Sequence, residues 1–263
     1  MRGHPTVFVL TLVLLLSAGT ARAGIEACAA VRDGRAEAVF LHQDPTPPGS
    51  PNVGAVLKRP AGPGPHPAMI VLHGNGGLRA PRCYEGALDL LVGWGYAALA
   101  VDSHTGRIAQ GGYSFAEQSA DAVRALAWLQ QRPEIDAARI GIIGWSRGGL
   151  AALATITDIE GNERTDTGPT FPAAVAFYPI CIAKTVRLKS NLLVLIGAED
   201  RITPVRPCRA MQVRPGRFIY ELKVYPGARH VFDARWHPHH DPTAARDALV
   251  RTEAFLATHL MNR

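Results

Sequence analysis

From Ala68 onward, apolar residues come in short unbroken runs, each followed by a stretch with helical spacing. Ala68–Leu72, Ala97–Val101, Arg139–Gly144, Ala173–Tyr178, Asn191–Gly197 and Phe218–Tyr225 read as strands. A strand that is apolar at successive positions is buried on both faces, as parallel sheets require. Between the runs, Tyr84–Trp94, Phe115–Gln131 and Arg147–Ile156 read as helices, and Thr243–His259 as a closing one. Val123, Leu126, Ala127 and Leu129 give the second of these an apolar side, and Pro133 marks its end. Residues 44–67 are proline-rich and read as turns and edge strands, with Gly54–Lys58 a strand. The polar, glycine-containing segment 160–172 reads as a loop or small cap. The alternation predicts an α/β fold: one mostly parallel central sheet covered by helices on both faces, with right-handed crossovers.

The N-terminus follows another pattern. Arg2 precedes the apolar run Val7–Leu16, and Ala21-Arg22-Ala23 has the A-x-A form of a leader cleavage site. The run is shorter than the roughly 20 residues that cross a bilayer. The expectation is a cleavable signal peptide over residues 1–23, a single domain over 24–263, no stable membrane anchor, and a periplasmic or secreted location. The formal charge of +6 falls further once Arg2 and Arg22 leave. The remaining Lys and Arg residues are scattered without interleaved aromatics, which argues against nucleic-acid binding.

Export also bears on the four cysteines, Cys28, Cys83, Cys181 and Cys208. Oxidising compartments favour disulfides, and no C-x-x-C occurs to suggest zinc or redox chemistry. Cys181 follows the strand end at Tyr178-Pro179-Ile180, and Cys208 follows the turn after Asp200. Neighbouring parallel strands bring those loops together, so Cys181–Cys208 is the expected bridge. Cys28–Cys83 remains as the second pair.

Chemistry enters with Gly144-Trp145-Ser146-Arg147-Gly148, which has a strand before it and a helix after it. This is G-x-S-x-G in the context that makes it a nucleophile elbow: small flanking residues let backbone approach, and the helix N-terminus faces the reacting oxygen. A serine nucleophile needs a base, and the base needs an orienting acid, in the order acid then histidine. Asp200 lies just past the strand ending at Gly197 and is preferred to Glu199. His230 lies on the loop after the strand ending at Tyr225 and is preferred to His237, His239, His240 and the helical His259. The 237–240 cluster has no second set of ligands to complete a metal site, so no metal is expected. The oxyanion donors expected are the amides of Arg147 and of Asn75 in His73-Gly74-Asn75-Gly76-Gly77, with Gly76 the alternative to Asn75. His73 reads as ordering that turn, and Trp145 as packing. Arg107 admits two readings, a contact to an anionic substrate group or a pair with a carboxylate in its loop.

His73-Gly74-x-Gly-Gly, Gly95-Tyr96-Ala97 to Asp102, Arg139-Ile140-Gly141 through Gly149, Gly197 to Asp200 and His230-x-Phe232 together resemble the dienelactone hydrolase family of α/β-hydrolases. The resemblance runs over about residues 54–258. It implies the α/β-hydrolase fold with about eight strands, no cofactor, and hydrolysis of a small-molecule carboxylic ester or lactone. The name-giving enzymes carry cysteine where this chain has Ser146, and an acidic residue near the loop that here reads His-Gly-Asn-Gly-Gly. Acyl transfer by the same residues, or a non-catalytic envelope binding protein on the same fold, are the alternatives.

Overall fold

The apolar runs assemble into one eight-stranded sheet. A computed structural model describes Arg22 and residues 25–41, 53–78, 82–159, 171–182 and 184–261. Apart from Arg22, the leader expected at 1–23 lies outside the described residues, as does most of the segment 160–172. The strands are β1 (Glu37–Leu41), β2 (Val53–Lys58), β3 (His66–Leu72), β4 (Ala97–Asp102), β5 (Ile135–Trp145), β6 (Thr157–Ile159), β7 (Ala173–Phe177), β8 (Thr185–Leu188), β9 (Asn191–Gly197), β10 (Gln212–Val213) and β11 (Tyr220–Tyr225). The large sheet has the order β1-β2-β4-β3-β5-β7-β9-β11. β2 pairs antiparallel with β1 and β4, and the pairs from β4 to β11 are parallel. β6, β8 and β10 form a small second sheet.

Burial follows the sequence pattern. Every residue of β4, β7 and β9 is buried, as is β3 beyond its first residue. The helices Glu85–Gly93, Phe115–Gln130, Arg147–Ile156 and Pro242–Leu256 close on this sheet through Leu88, Leu91, Ala122, Leu129, Ala151, Ala152, Phe255 and Leu256. Among the described residues, no helix is long and apolar enough to cross a membrane.

The helix Phe115–Gln130 begins with a capping box in which the Ser114 hydroxyl accepts from the Glu117 amide and the Glu117 carboxylate accepts from the Ser114 amide. Its buried face is not wholly apolar. Gln118 Nε2 donates to the His73 carbonyl (2.9 Å), Ser119 Oγ donates to the Ala151 carbonyl (2.9 Å), and Asp121 receives the guanidinium of Arg107. Three loops or helices of the carboxyl edge thus hang on one element.

Both cysteine pairs are bonded, Cys28 to Cys83 and Cys181 to Cys208, 55 and 27 residues apart in sequence. Loops of those lengths correspond to about 3 to 4 kcal/mol each in the chain-entropy picture. The first bridge ties the N-terminal segment to the start of helix Glu85–Gly93. The second ties the chain after β7 to the short helix Val205–Ala210 beyond Asp200.

Candidate active site

The carboxyl edge gathers Ser146, Asp200 and His230 from three different strand ends. Ser146 sits between β5 and the helix Arg147–Ile156, with φ 53° and ψ −113°. A non-glycine residue rarely holds positive φ, and such conformations persist where the surroundings enforce them. The Ser146 amide donates to the Phe177 carbonyl (2.9 Å). The glycines on either side have no room for a side chain. A Cβ at Gly144 would stand 2.2 Å from the Gly148 carbonyl oxygen, and one at Gly148 would stand 2.2 Å from the Leu72 carbonyl oxygen. The elbow is therefore packed directly against the end of β3.

His230 Nε2 lies 3.0 Å from Ser146 Oγ, and His230 Nδ1 lies 2.7 Å from Asp200 Oδ2. Asp200 also accepts from the amides of Ile202 (2.9 Å) and Thr203 (2.8 Å), and from the Thr203 hydroxyl (2.8 Å). Burial pushes this carboxyl up, but the donors from His230 and Thr203 outweigh it, and the net displacement is downward. Asp200 thus stays ionised, with both oxygens committed. The turn holding it is joined to the histidine loop, since the Glu199 amide donates to the Ala228 carbonyl (3.0 Å). Gly197 permits that approach, because a Cβ there would meet the Ala228 carbonyl oxygen at 2.2 Å. The competing Glu199 is exposed and faces Arg229 across 3.8 Å. His239 turns its ring to the His230 carbonyl (3.1 Å), so part of the 237–240 cluster braces the histidine loop.

The loop after β3 closes the other side. A Cβ at Gly74 would lie 3.8 Å from Ser146 Cβ. The Gly74 amide donates to Tyr84 Oη (2.7 Å) and the Gly77 amide to the Gly74 carbonyl (3.2 Å), whereas the Asn75 amide makes no bond among the described residues. The Arg147 amide opens its helix and so lacks an intrahelical acceptor. The Arg147 side chain spans the gap: it donates to Asn75 Oδ1 (2.8 Å) and to the Tyr113 carbonyl (2.7 Å), and it stacks on the Tyr113 ring.

His73 is fully buried, with Nδ1 donating to the Gly74 carbonyl (2.7 Å) and Nε2 accepting from the Ser103 amide (3.1 Å). Burial holds it below the ordinary histidine range, against the opposing pull of the Gly74 carbonyl and Asp102. A depressed folded-state value means that the unfolded chain takes the proton first. This contribution is therefore intact above about pH 6.5 and is lost as pH falls from there through the lower folded value. We expect the denaturation midpoint to drop between pH 7 and 5, and the His73→Asn protein to show a shallower slope over that interval. Equal slopes would remove His73 from the account.

The Arg107 guanidinium is buried and donates to Asp121 Oδ2 (2.7 Å) and Oδ1 (2.9 Å) and to the Ser103 carbonyl (2.8 Å). Asp121 lies on the helix Phe115–Gln130 and not in the loop of Arg107. Trp145 stacks on Phe177 and donates from Nε1 to Asp233 Oδ2 (2.8 Å). Asp233, Tyr178 and Thr203 are site neighbours that the sequence reading passed over. Tyr178 packs edge-on against the His230 ring with centroids 4.7 Å apart, and its hydroxyl donates to Asp233 Oδ1 (2.7 Å). Burial raises the Asp233 carboxyl, and the two donors only partly restore it. The signal for Asp233 was its place three residues after His230, in the same loop.

A lactonase from Bradyrhizobium sp., named as a probable 2-oxo-3-(5-oxofuran-2-ylidene)propanoate lactonase, is 26% identical over 236 residues, 80% of this chain and 90% of that one. Acylamino-acid-releasing enzyme 1 of Oryza sativa subsp. japonica is 28% identical over 147 residues, 51% of this chain and 16% of that one. Among solved structures, a thermophilic esterase of Thermogutta terrifontis with bound propionate superposes with TM-score 0.65 at 21% identity, covering 85% of this chain and 94% of that one. That likeness speaks for the fold. The profile of the dienelactone hydrolase family matches residues 53–260. The chain belongs to the dienelactone hydrolase family and is a carboxylic ester hydrolase on an α/β-hydrolase fold.

Proposed function

We propose that the protein cleaves carboxylic esters or lactones through an acyl-enzyme on Ser146, with His230 as general base and Asp200 as its supporting acid. The observation that carries this is the unbroken relay Ser146 Oγ–His230 Nε2 and His230 Nδ1–Asp200 Oδ2, at 3.0 and 2.7 Å. In this reading His230 takes the Ser146 proton as Oγ attacks the carbonyl carbon, then hands it to the leaving alkoxide. Water later enters by the same base and releases the acid. Asp200 holds the imidazole with Nδ1 protonated and stabilises the imidazolium. The Arg147 and Asn75 amides receive the oxyanion. The lactonase name of the Bradyrhizobium relative supports including lactones, whose alcohol stays attached to the acid after ring opening. Export to the periplasm or beyond belongs to the same proposal, supported by the leader-like N-terminus and by two disulfides.

A fluorophosphonate should label Ser146 stoichiometrically, and the adduct should map to the peptide that contains it. No segment of the sequence offers a long apolar lid, so kcat/KM across p-nitrophenyl esters should peak at short acyl chains. Labelling elsewhere than Ser146, or a preference for palmitate, counts against the proposal.

A further inference from the structure

The relay does not use the hydroxyl of Tyr84, whose ring lies beside Trp145 of the elbow. Tyr84 opens the helix Glu85–Gly93 from a backbone that L-residues rarely adopt, with φ 60°, and Cys83 before it has φ 41°. Two successive non-glycine residues at positive φ are costly and occur where the structure imposes them, often at functional sites. The imposition is visible here: Cys83 is bridged to Cys28, which fixes the chain immediately before Tyr84. The Tyr84 ring then lies edge-on to Trp145, the neighbour of Ser146, with centroids 5.7 Å apart.

The hydroxyl ends at the oxyanion loop. Tyr84 Oη accepts the Gly74 amide proton at 2.7 Å. A Cβ placed on Gly74 would meet Tyr84 Oη at 3.6 Å and Ser146 Cβ at 3.8 Å, so the hydroxyl and the nucleophile flank the same point. Having accepted from Gly74, the hydroxyl retains its own proton, and among the described residues no acceptor takes it. Receiving a hydrogen bond polarises a hydroxyl and strengthens the bond it donates.

The geometry points to Tyr84 Oη as a side-chain donor to the substrate carbonyl oxygen, relaying the Gly74 amide to the oxyanion beside the amides of Arg147 and Asn75. This inference rests on the proposed serine mechanism. As Ser146 Oγ bonds to the carbonyl carbon, the π pair moves onto oxygen and His230 takes the serine proton. Tyr84 donates a hydrogen bond to that oxygen and keeps its proton. When the tetrahedral species collapses, the pair returns and the leaving alkoxide departs with the proton from His230. Burial pushes the phenol up to about 12, against the pull of the Gly74 amide, so the group remains a donor across the working pH range.

The test is Tyr84→Phe, assayed with p-nitrophenyl acetate and with the matching thionoester, in which sulfur replaces the carbonyl oxygen. Sulfur accepts hydrogen bonds weakly, so a lost donor harms the oxygen ester selectively. For the oxygen ester, kcat should fall roughly 10²-fold with KM little changed. The thionoester should lose far less, so the ratio of the two rates collapses. Ring-fluorinated tyrosine at position 84, which keeps the hydroxyl, should retain the parent ratio, and this holds the test open should the phenylalanine variant fold poorly. An unchanged rate in Tyr84→Phe, an equal loss on both esters, or loss of the ratio in the fluorinated protein would overturn the inference. Ser146→Ala in the same assay separates the two levels. If it stays active the serine mechanism itself fails, whereas its inactivity beside an active Tyr84→Phe removes only the tyrosine.

Discussion

Replacing Ser146 with alanine should leave a folded protein whose ester hydrolysis is lower by about 10⁴- to 10⁶-fold. Ser146 Oγ is held 3.0 Å from His230 Nε2 at a positive-φ backbone conformation. Alanine keeps that backbone and removes only the attacking atom. His230→Ala should be nearly as severe, and the double variant no worse than either, because members of such a relay act as a unit. Asp200→Asn should cost less, on the order of 10³- to 10⁴-fold, since the imidazole is still present but loses its orienting charge. Initial rates on p-nitrophenyl acetate, with far-UV circular dichroism to check the fold, decide the matter. Activity within tenfold of the parent in Ser146→Ala would sink the assignment.

The second large effect is structural. Gly148→Ala adds a methyl group where the Leu72 carbonyl oxygen is 2.2 Å away and the His73 carbonyl oxygen 2.6 Å away. Both obstacles are backbone, so no rotamer change relieves the clash. The helix Arg147–Ile156 must back away from β3, and the amides on its two sides separate with it. We expect a loss of about 3 kcal/mol or more in stability, together with most of the activity. Gly86→Ala is the matched control. That glycine is also helical, yet a Cβ there meets nothing within 4 Å, so the substitution should stabilise by about 0.5 to 1 kcal/mol. Urea midpoints that move the same way in both variants would contradict the packing argument.

The central architecture was readable because it is written locally. Runs such as Leu192–Ile196 admit little but a doubly covered strand, and Ser146 announces itself by the glycines four residues apart around it. What stayed hidden depends on partners distant in sequence. β5 starts at Ile135, before the expected Arg139, because polar Asp136 and Arg139 pair with each other and interrupt the apolar run while the strand continues past a register shift opposite His66 and Ala68. β1 is an edge strand of only five residues, too short to carry a clear period. The sheet of β6, β8 and β10 is built from pieces of two to four residues, too short to carry a period. Asp233 and Tyr84 reach the site through a hydrogen bond to Trp145 across 88 residues and one to Gly74 across 10. No local pattern encodes such meetings. Arg107 likewise finds its partner beyond its own loop, in Asp121 of the helix Phe115–Gln130.

The helix Phe115–Gln130 acts as a three-point mount. Through Gln118 it grips the loop that begins at His73, through Ser119 the helix after Ser146, and through Asp121 the loop after β4. Parts fastened to a common mount keep their mutual alignment while the rest of the body breathes, but they lose it together when the mount comes loose. Slow amide hydrogen exchange along this helix and retention of activity on heating should therefore run on a single clock.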